Sequence, residues 1–234
     1  MATVTFHGAC GTVTGSCSQL SWGDRHLLVD CGLFQGDDEL EQRNRQPFGF
    51  RPNQIAAVIA THAHLDHTGR LPRLVAQGFS GPIYCTKPSR PLISLVLQDA
   101  AMLQEEEARR ARRVGYGRHA EPRPLSTIED ARRVLRLLRS CPFDEEIEIQ
   151  ELPGVRLRYR RAGHLLGAAT VEISAKGSDG ERRSWCFSGD VGRYGVPILR
   201  DPEPPLEAPA ALVLESTYGD RLHPAEDTRE RLAE

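Results

Sequence analysis

Long apolar runs are missing from this 234-residue chain: the longest clean one, Ile55 to Ala60, falls far short of the ~20 residues a membrane-spanning helix needs. Met1 to Gly8 lacks the basic-then-apolar order of a secretory leader. Both absences point to a soluble cytoplasmic protein with no membrane partner. The six cysteines, at 10, 17, 31, 85, 141 and 186, form no C-x-x-C pair. With nothing marking secretion, they read as reduced and mostly buried thiols in place of a disulfide framework. Internal repeats and low-complexity tracts are absent too, which excludes fibrous and array architectures. Nor is there an excess of one charge: 30 basic and 32 acidic residues give −2, so the whole molecule is no polycation.

What is present is a globular composition, 39% hydrophobic with 21 further glycines, at a length that suits one or two domains. The charges are unevenly spread. Arg109 to Arg139 carries ten arginines against Glu121, Glu129 and Asp130. That segment reads either as a steering surface for a negative substrate or as a solvated helix face.

Short β-type runs open the chain: Thr3 to Phe6, Ser18 to Trp22 and His26 to Asp30, the last two joined by Gly23-Asp24-Arg25 as in an antiparallel meander. Ile55 to Ala60 suits a strand buried on both faces, and Leu65 to Gln77 continues as one helix with Leu71, Leu74 and Val75 on one side. Pro82 to Cys85 is a further strand, followed by a long helix from about Pro91 to Arg113. Pro91 fits its first turn, where a missing N–H costs nothing.

Ser126 and Glu129 read as a capping box opening a helix with Ala131, Val134, Leu135 and Leu138 inward and Arg132, Arg136 and Arg139 outward. Strands return at Glu146 to Glu151, Val155 to Arg161, Ala169 to Ser174, Arg182 to Ser188 and Ala211 to Glu215. This order predicts two packed sheets with helices outside, an α/β architecture without regular βαβ alternation.

The chemistry is concentrated in Thr61-His62-Ala63-His64-Leu65-Asp66-His67-Thr68-Gly69, where the buried strand ends and a helix begins. Alternate residues of an extended segment share a side, so His62 and His64 can grip one cation while the turn aims Asp66 and His67 at a neighbouring one. Imidazole and carboxylate without cysteine favour zinc or a similar borderline cation in a hydrolytic site. His164, between Gly163 and Gly167, would complete three histidines on the first cation, and Asp190, in Ser188-Gly189-Asp190-Val191-Gly192, could bridge two ions. Asp30, closing a strand, is expected to orient a ligand histidine from behind. His7, His26, His119 and His223 lack comparable spacing and read as surface or packing residues.

The H-x-H-x-D-H element, together with Gly8-Ala9-Cys10-Gly11-Thr12-Val13-Thr14-Gly15-Ser16, Asp30-Cys31-Gly32-Leu33-Phe34-Gln35-Gly36, Gln104-Glu105-Glu106-Glu107-Ala108 and Glu215-Ser216-Thr217-Tyr218-Gly219, resembles the β-CASP branch of the metallo-β-lactamase fold. Nucleic-acid-processing nucleases make up that branch. The resemblance implies an αββα sandwich with two zinc ions at one edge. His62, His64 and His164 would hold the first zinc, Asp66 and His67 the second, and Asp190 both. It implies a catalytic role for Asp66, Asp190 and Glu215, the last working beside a later histidine in proton transfer. The reaction implied is cleavage of RNA phosphodiester bonds by hydroxide shared between two cations. RNA ranks ahead of DNA as partner, Arg132, Arg136 and Arg139 could face it, and homodimer assembly is left open.

One departure accompanies the match. Family members place a β-CASP domain after the Glu-Ser-Thr-Tyr-Gly element and then return to supply a proton-transfer histidine and the last ligand of the second zinc. Here residues 1–218 correspond to the metallo-β-lactamase portion and 219–234 only begin the inserted domain, so the chain reads as a fragment with an incomplete second site. Two rivals stand beside the nuclease. One is a small-molecule hydrolase of the same fold acting on thioesters, esters or lactones; the other is a catalytically silent truncated assembly partner.

Overall fold

The structure, a computed structural model, describes residues 2–115, 122–177 and 179–222. His119 and His223, and most of the segment 219–234 expected to open a second domain, lie outside the described residues. Gly23, at φ +64°, lets Gly23-Asp24 reverse the chain so that β2 (Cys17–Trp22) and β3 (Arg25–Val29) pair antiparallel from Trp22 opposite Arg25. β1 (Ala2–Gly8) joins the other side of β2, completing the expected meander. From β3 the sheet turns parallel, through β4 (Ile55–Ile59), β5 (Ile83–Thr86) and β6 (Leu138–Cys141), in the order β1-β2-β3-β4-β5-β6. A second sheet runs β11-β10-β9-β8-β7, built from β7 (Ile147–Glu148), β8 (Val155–Arg161), β9 (Ala169–Lys176), β10 (Arg182–Phe187) and β11 (Ala211–Val213).

Residue alternation decides what each face meets. Leu27, Val29, Ala57 and Ile59 point between the sheets, against Leu157, Tyr159, Val171, Ile173 and Phe187. Leu28 and Val58 point the other way, into helices α1 to α5 (Asp38–Gln42, Leu65–Thr68, Leu71–Ala76, Ser89–Val114 and Ile128–Leu137), of which α3, α4 and α5 supply Leu71, Leu74, Ile93, Leu97, Ala131 and Val134. Each such large aliphatic side chain removed from water contributes about 1.5–3 kcal/mol, so the two apolar layers dominate the fold. On the outer face of the second sheet Arg156, Arg158 and Arg160 alternate with the buried residues. There Arg156 pairs with Glu146 at 2.6 Å and Arg160 with Asp144 at 2.6 Å, and residues 201–209 run across through Leu206 N–H to Glu172 Oε1 at 3.0 Å. Three of the four expected layers are thus present among the described residues. No helix there is long and apolar enough to cross a membrane.

The structure corrects three local expectations. The helix expected over Leu65 to Gln77 is two: the carbonyls of Leu65, Asp66 and His67 accept from Leu33, Ser16 and Cys31, each at 2.8 Å, while Arg70 N–H turns to the Cys31 carbonyl at 2.9 Å. Leu65 keeps its helical bond to Gly69 N–H at 2.7 Å, but once the Asp66 and His67 carbonyls face a neighbouring loop α2 cannot run on into α3. The cap of α5 lies one residue later than expected. Ser126 N–H bonds Gln104 Oε1 at 3.1 Å, and Thr127 and Asp130 form the capping box. Leu138, expected on the helix, begins β6, which puts Arg139 on a strand.

Candidate metal centre

The parallel strands β3 and β4 end at one edge of the first sheet, and the chain beyond β4 carries the histidine cluster out along that edge. From the second sheet, the turn after β8 delivers His164 and the turn after β10 delivers Asp190. Close packing fixes both approaches. A methyl group on Gly32 would lie 1.6 Å from the Asp66 carbonyl oxygen, and one on Gly192 would lie 1.8 Å from that of Gly163. Only hydrogen fits at either position.

His62, His64, His164 and Asp190 each offer a ligand atom within 4.8 Å of the others. His62 Nε2 stands 3.1 Å from His64 Nδ1, which stands 3.2 Å from His164 Nε2. Two nitrogens bound at about 2.0–2.1 Å to a tetrahedral cation lie about 3.3 Å apart, so this spacing fits nitrogens sharing one ion. Asp190 Oδ2 faces the same point, 3.6 Å from His62 Nε2 and 3.5 Å from His164 Nε2. Its other oxygen, Oδ1, turns to His67 Nε2 at 3.1 Å, and Asp66 Oδ2 lies 3.8 Å from that nitrogen. The two oxygens of one carboxylate therefore address two neighbouring ligand groups, with the Asp66 side the looser.

Behind the ligands, Asp30 is 2% exposed and sits at φ +62°, a left-handed conformation that aspartate tolerates better than most side chains. It accepts from Thr61 N–H at 2.8 Å, Thr61 Oγ1 at 2.9 Å and His67 Nδ1 at 2.7 Å. Ser16 Oγ adds a longer bond at 3.3 Å. Because the Thr61 hydroxyl spends its proton on Asp30, its oxygen accepts from His62 Nδ1 at 3.0 Å. Asp30 thus holds a proton on Nδ1 of His67 and Thr61 one on Nδ1 of His62, which turns Nε2 of each toward the cluster, whereas His64 presents Nδ1. Asp30 bonds His67 directly; Thr61, which bonds His62, was not singled out from the sequence. A threonine beside a histidine is too ordinary a pair to carry that signal.

Burial, then the charge of His67, drives the His62 pKa well below the usual imidazole value, and burial with repulsion from His164 lowers His64. Both shifts favour the neutral imidazole, the form that could bind a cation. Burial acts against the charge on His67 as well, but Asp30 and hydrogen bonds to Asp190 and Asp30 outweigh it and raise this histidine to about 10. Asp190 is held well below the carboxylate range: burial opposes this, while His67, then His62 and His164, favour the anion.

Glu215 is half-buried beside the Asp190 turn. Its Oε1 accepts from Val191 N–H at 2.8 Å, and its own N–H donates to Ser188 Oγ at 3.0 Å, so it braces the residues on both sides of Asp190. A cavity of about 350 Å³ opens on the His67 side, lined by Gly11, Thr12, Ser16, Asp190 and Glu215 among others. The arginines expected to face a substrate are not at this edge. α5 starts against Gln104 and Glu105, well along α4 from its Ser89 end, where Ser89 Oγ bonds the Gly167 carbonyl at 2.9 Å. Arg132 is exposed on α5, Arg136 pairs with Glu129 at 3.4 Å, and Arg139 donates to the Arg136 carbonyl at 3.1 Å. His7 and His26 pack as expected, bonded to Gln19 and Ser21 at 2.9 and 2.8 Å.

A ribonuclease of Thermus thermophilus is 41% identical over 218 residues, covering 92% of this chain and 44% of its own length. A transcription termination factor, FttA, of Methanosarcina mazei is 34% identical over 226 residues, 93% of this chain and 31% of its own. The chain spans about a third to a half of the length of the curated relatives it matches. Among solved structures, a protein of unknown function from Enterococcus faecalis superposes with a TM-score of 0.50 at 18% identity, over 81% of this chain and 43% of that one, which supports the fold alone. Names of RNA-acting proteins among the relatives are consistent with the β-CASP branch read from the sequence. The profile of the metallo-beta-lactamase superfamily matches residues 15–232, and with the histidine cluster at the edge of two packed sheets it establishes that the chain belongs to that superfamily.

Proposed function

We propose that this chain is the metal-binding portion of a zinc-dependent phosphodiesterase that cleaves RNA in the cytoplasm. The observation that carries the reading is Asp190, whose two oxygens address His62 and His164 on one side and His67 on the other. In this reading His62, His64 and His164 hold one zinc, Asp66 and His67 hold a second, and Asp190 serves both. Bound zinc would activate water and stabilise the charge developing on phosphoryl oxygens. The protein's own residues set the geometry: Asp30 and Thr61 fix the imidazole tautomers, and Glu215 holds the Asp190 turn in place. Residues 1–218 form the metallo-β-lactamase portion and 219–234 begin a further domain. Names of the relatives favour RNA over small esters or thioesters as substrate.

The test uses this chain extended by its downstream coding sequence, with zinc content and cleavage of labelled RNA, DNA and a model thioester measured side by side. RNA cleavage that disappears in Asp190→Ala while RNA binding persists is the expected outcome. Thioester or lactone turnover without RNA cleavage would overturn the substrate assignment. A fully active Asp190→Ala enzyme would overturn the site.

A further inference from the structure

Where the segment between β3 and β4 packs on α3, Arg70 is a buried cation with no counter-ion among the described residues. It is 5% exposed, and its guanidinium carbon lies 4.3 Å from the Phe48 ring centroid and 5.4 Å from that of Phe34. Nε has no hydrogen-bond partner, and among the described residues no carboxylate comes within ion-pair distance of this side chain. Face-on ring contacts are modest attractions, and they do not offset the desolvation of a full charge. A second guanidinium, that of Arg73, stands one turn along α3, 5.8 Å from the Phe48 centroid, and donates to the Arg45 carbonyl at 2.8 Å. The exposed Arg45 side chain in turn donates to the Arg123 carbonyl at 2.7 Å. Burial, then the charges of Arg70 and Arg45, lower the pKa of Arg73, the signature of like charges held together.

This crowding is built in. Asn44 locks the loop by accepting from Phe34 N–H at 2.9 Å and donating to the Phe34 carbonyl at 2.7 Å, which fixes Arg45 beside it in a 3₁₀ turn. Guanidinium groups such as those of Arg45 and Arg73, whose hydrogen bonds go to carbonyls rather than carboxylates, suit the spread charge of a phosphate, which they grip in two-pronged fashion. We infer that Arg45 and Arg73, lying over the buried charge of Arg70, form a phosphate-binding site for the backbone of the RNA chain. The inference rests on the RNA reading above. It differs from the Arg132, Arg136 and Arg139 surface expected from the sequence, where Arg136 already pairs with Glu129.

The experiment measures fluorescence anisotropy of a short labelled single-stranded oligoribonucleotide with the 234-residue chain in EDTA, so that neither cation nor cleavage contributes. Arg45→Gln combined with Arg73→Gln should weaken binding about tenfold and remove about 1.4 from the slope of log affinity against log salt, at about 0.7 per phosphate contact on a single strand. The Arg45→Lys, Arg73→Lys pair should keep that slope while binding less tightly, and the Gln pair should melt no lower than the parent because repulsion is relieved. Arg45→Gln alone, at an exposed side chain, covers the case in which the double variant fails to fold, and should lose half the slope change. Inorganic phosphate should compete with the oligonucleotide in the parent chain. Unchanged affinity and slope in folded variants would overturn the arginine site and leave the RNA reading standing. Phosphate binding that is lost in the variants, from a parent that binds no RNA, would overturn the RNA assignment and retain only an anion site.

Discussion

Asp30 offers the sharpest perturbation, because one nearly buried side chain serves four donors. Replacing it with alanine leaves Thr61 N–H, Thr61 Oγ1 and His67 Nδ1, now at 2.7–2.9 Å from an acceptor, with none. An unsatisfied buried donor costs about 1–3 kcal/mol, and breaking a buried charge pair about 3–5 kcal/mol; with partial relaxation, Asp30→Ala should lose about 4 kcal/mol. For a domain of this size that lowers the melting midpoint by about 10 °C. Asp30→Asn separates structure from chemistry. Its one remaining oxygen can keep Thr61 N–H, but its NH₂ group then faces His67 Nδ1, which must accept, and the imidazole proton moves to Nε2 where a cation should sit. The fold should survive Asp30→Asn with a small loss, while cation affinity falls about 10–100-fold, the usual cost of removing a hydrogen bond behind a ligand.

The pH dependence gives a second check. In the cation-free protein, His67 is raised to about 10, so the pairing stabilises fully below the unfolded-state value of about 6.5 and is lost as pH rises through 10. Thermal melts in EDTA from pH 6.5 to 10 should therefore decline in the parent and be flatter in Asp30→Ala. Circular dichroism melts and calorimetric zinc titrations read both effects. An Asp30→Asn protein that binds zinc as tightly as the parent would refute the tautomer argument.

Single substitution of His62, His64 or His164 by alanine should sharply lower zinc content measured by mass spectrometry, since three imidazoles share one point; unchanged stoichiometry in all three would remove the assignment. Zinc uptake on the His67 side at pH 8 should release about one proton, measurable by calorimetry in buffers of different ionisation enthalpy. Gly32→Ala should cost about 4 kcal/mol or more, because its methyl group would occupy the Asp66 carbonyl position, and should release the loop that ends α2. Since Asp66 stands 3.8 Å from His67 Nε2, outside the four-ligand group, the 234-residue chain should bind nearer one zinc than two and cleave RNA close to background; robust EDTA-sensitive cleavage by it would contradict this.

Much of the site was legible because metal ligands are chemically distinctive and their spacing is local. His62 and His64 alternate on an extended segment, and His164 and Asp190 stand among glycines at strand ends, so residue type and punctuation pointed the same way. The layers were legible for a similar reason, from alternation in β8 and β9 and the continuous apolar run of β4. The break between α2 and α3 was not. Its cause is capture of the Asp66 and His67 carbonyls by residues 16 and 31, a contact between distant segments that leaves the helical period of Leu71, Leu74 and Val75 untouched. β6 was hidden because Leu138 continues the apolar stripe of α5 and only pairing with Ile83 reveals it as a strand. The choice of Thr127 over Ser126 as cap depends on Gln104, from another helix. Thr61 was missed because its role depends on where Asp30 spends its acceptors, which no pattern in the sequence records.

The cluster draws one histidine pair from the end of β4 and its remaining ligands from two turns of the opposite sheet, so any cation shared by His62 and His164 would join points about a hundred residues apart in the chain. In polymer terms it is a reversible cross-link. Closing a loop of that length by a covalent bridge removes about 4.7 kcal/mol of unfolded-chain entropy, and a tightly held ion acts in the same sense for as long as it stays bound. The fold would then have two lifetimes, a short one in chelator and a long one in zinc. Opening of the seam between the sheets would be the event that separates them, and amide exchange along β4 and β10 would time it.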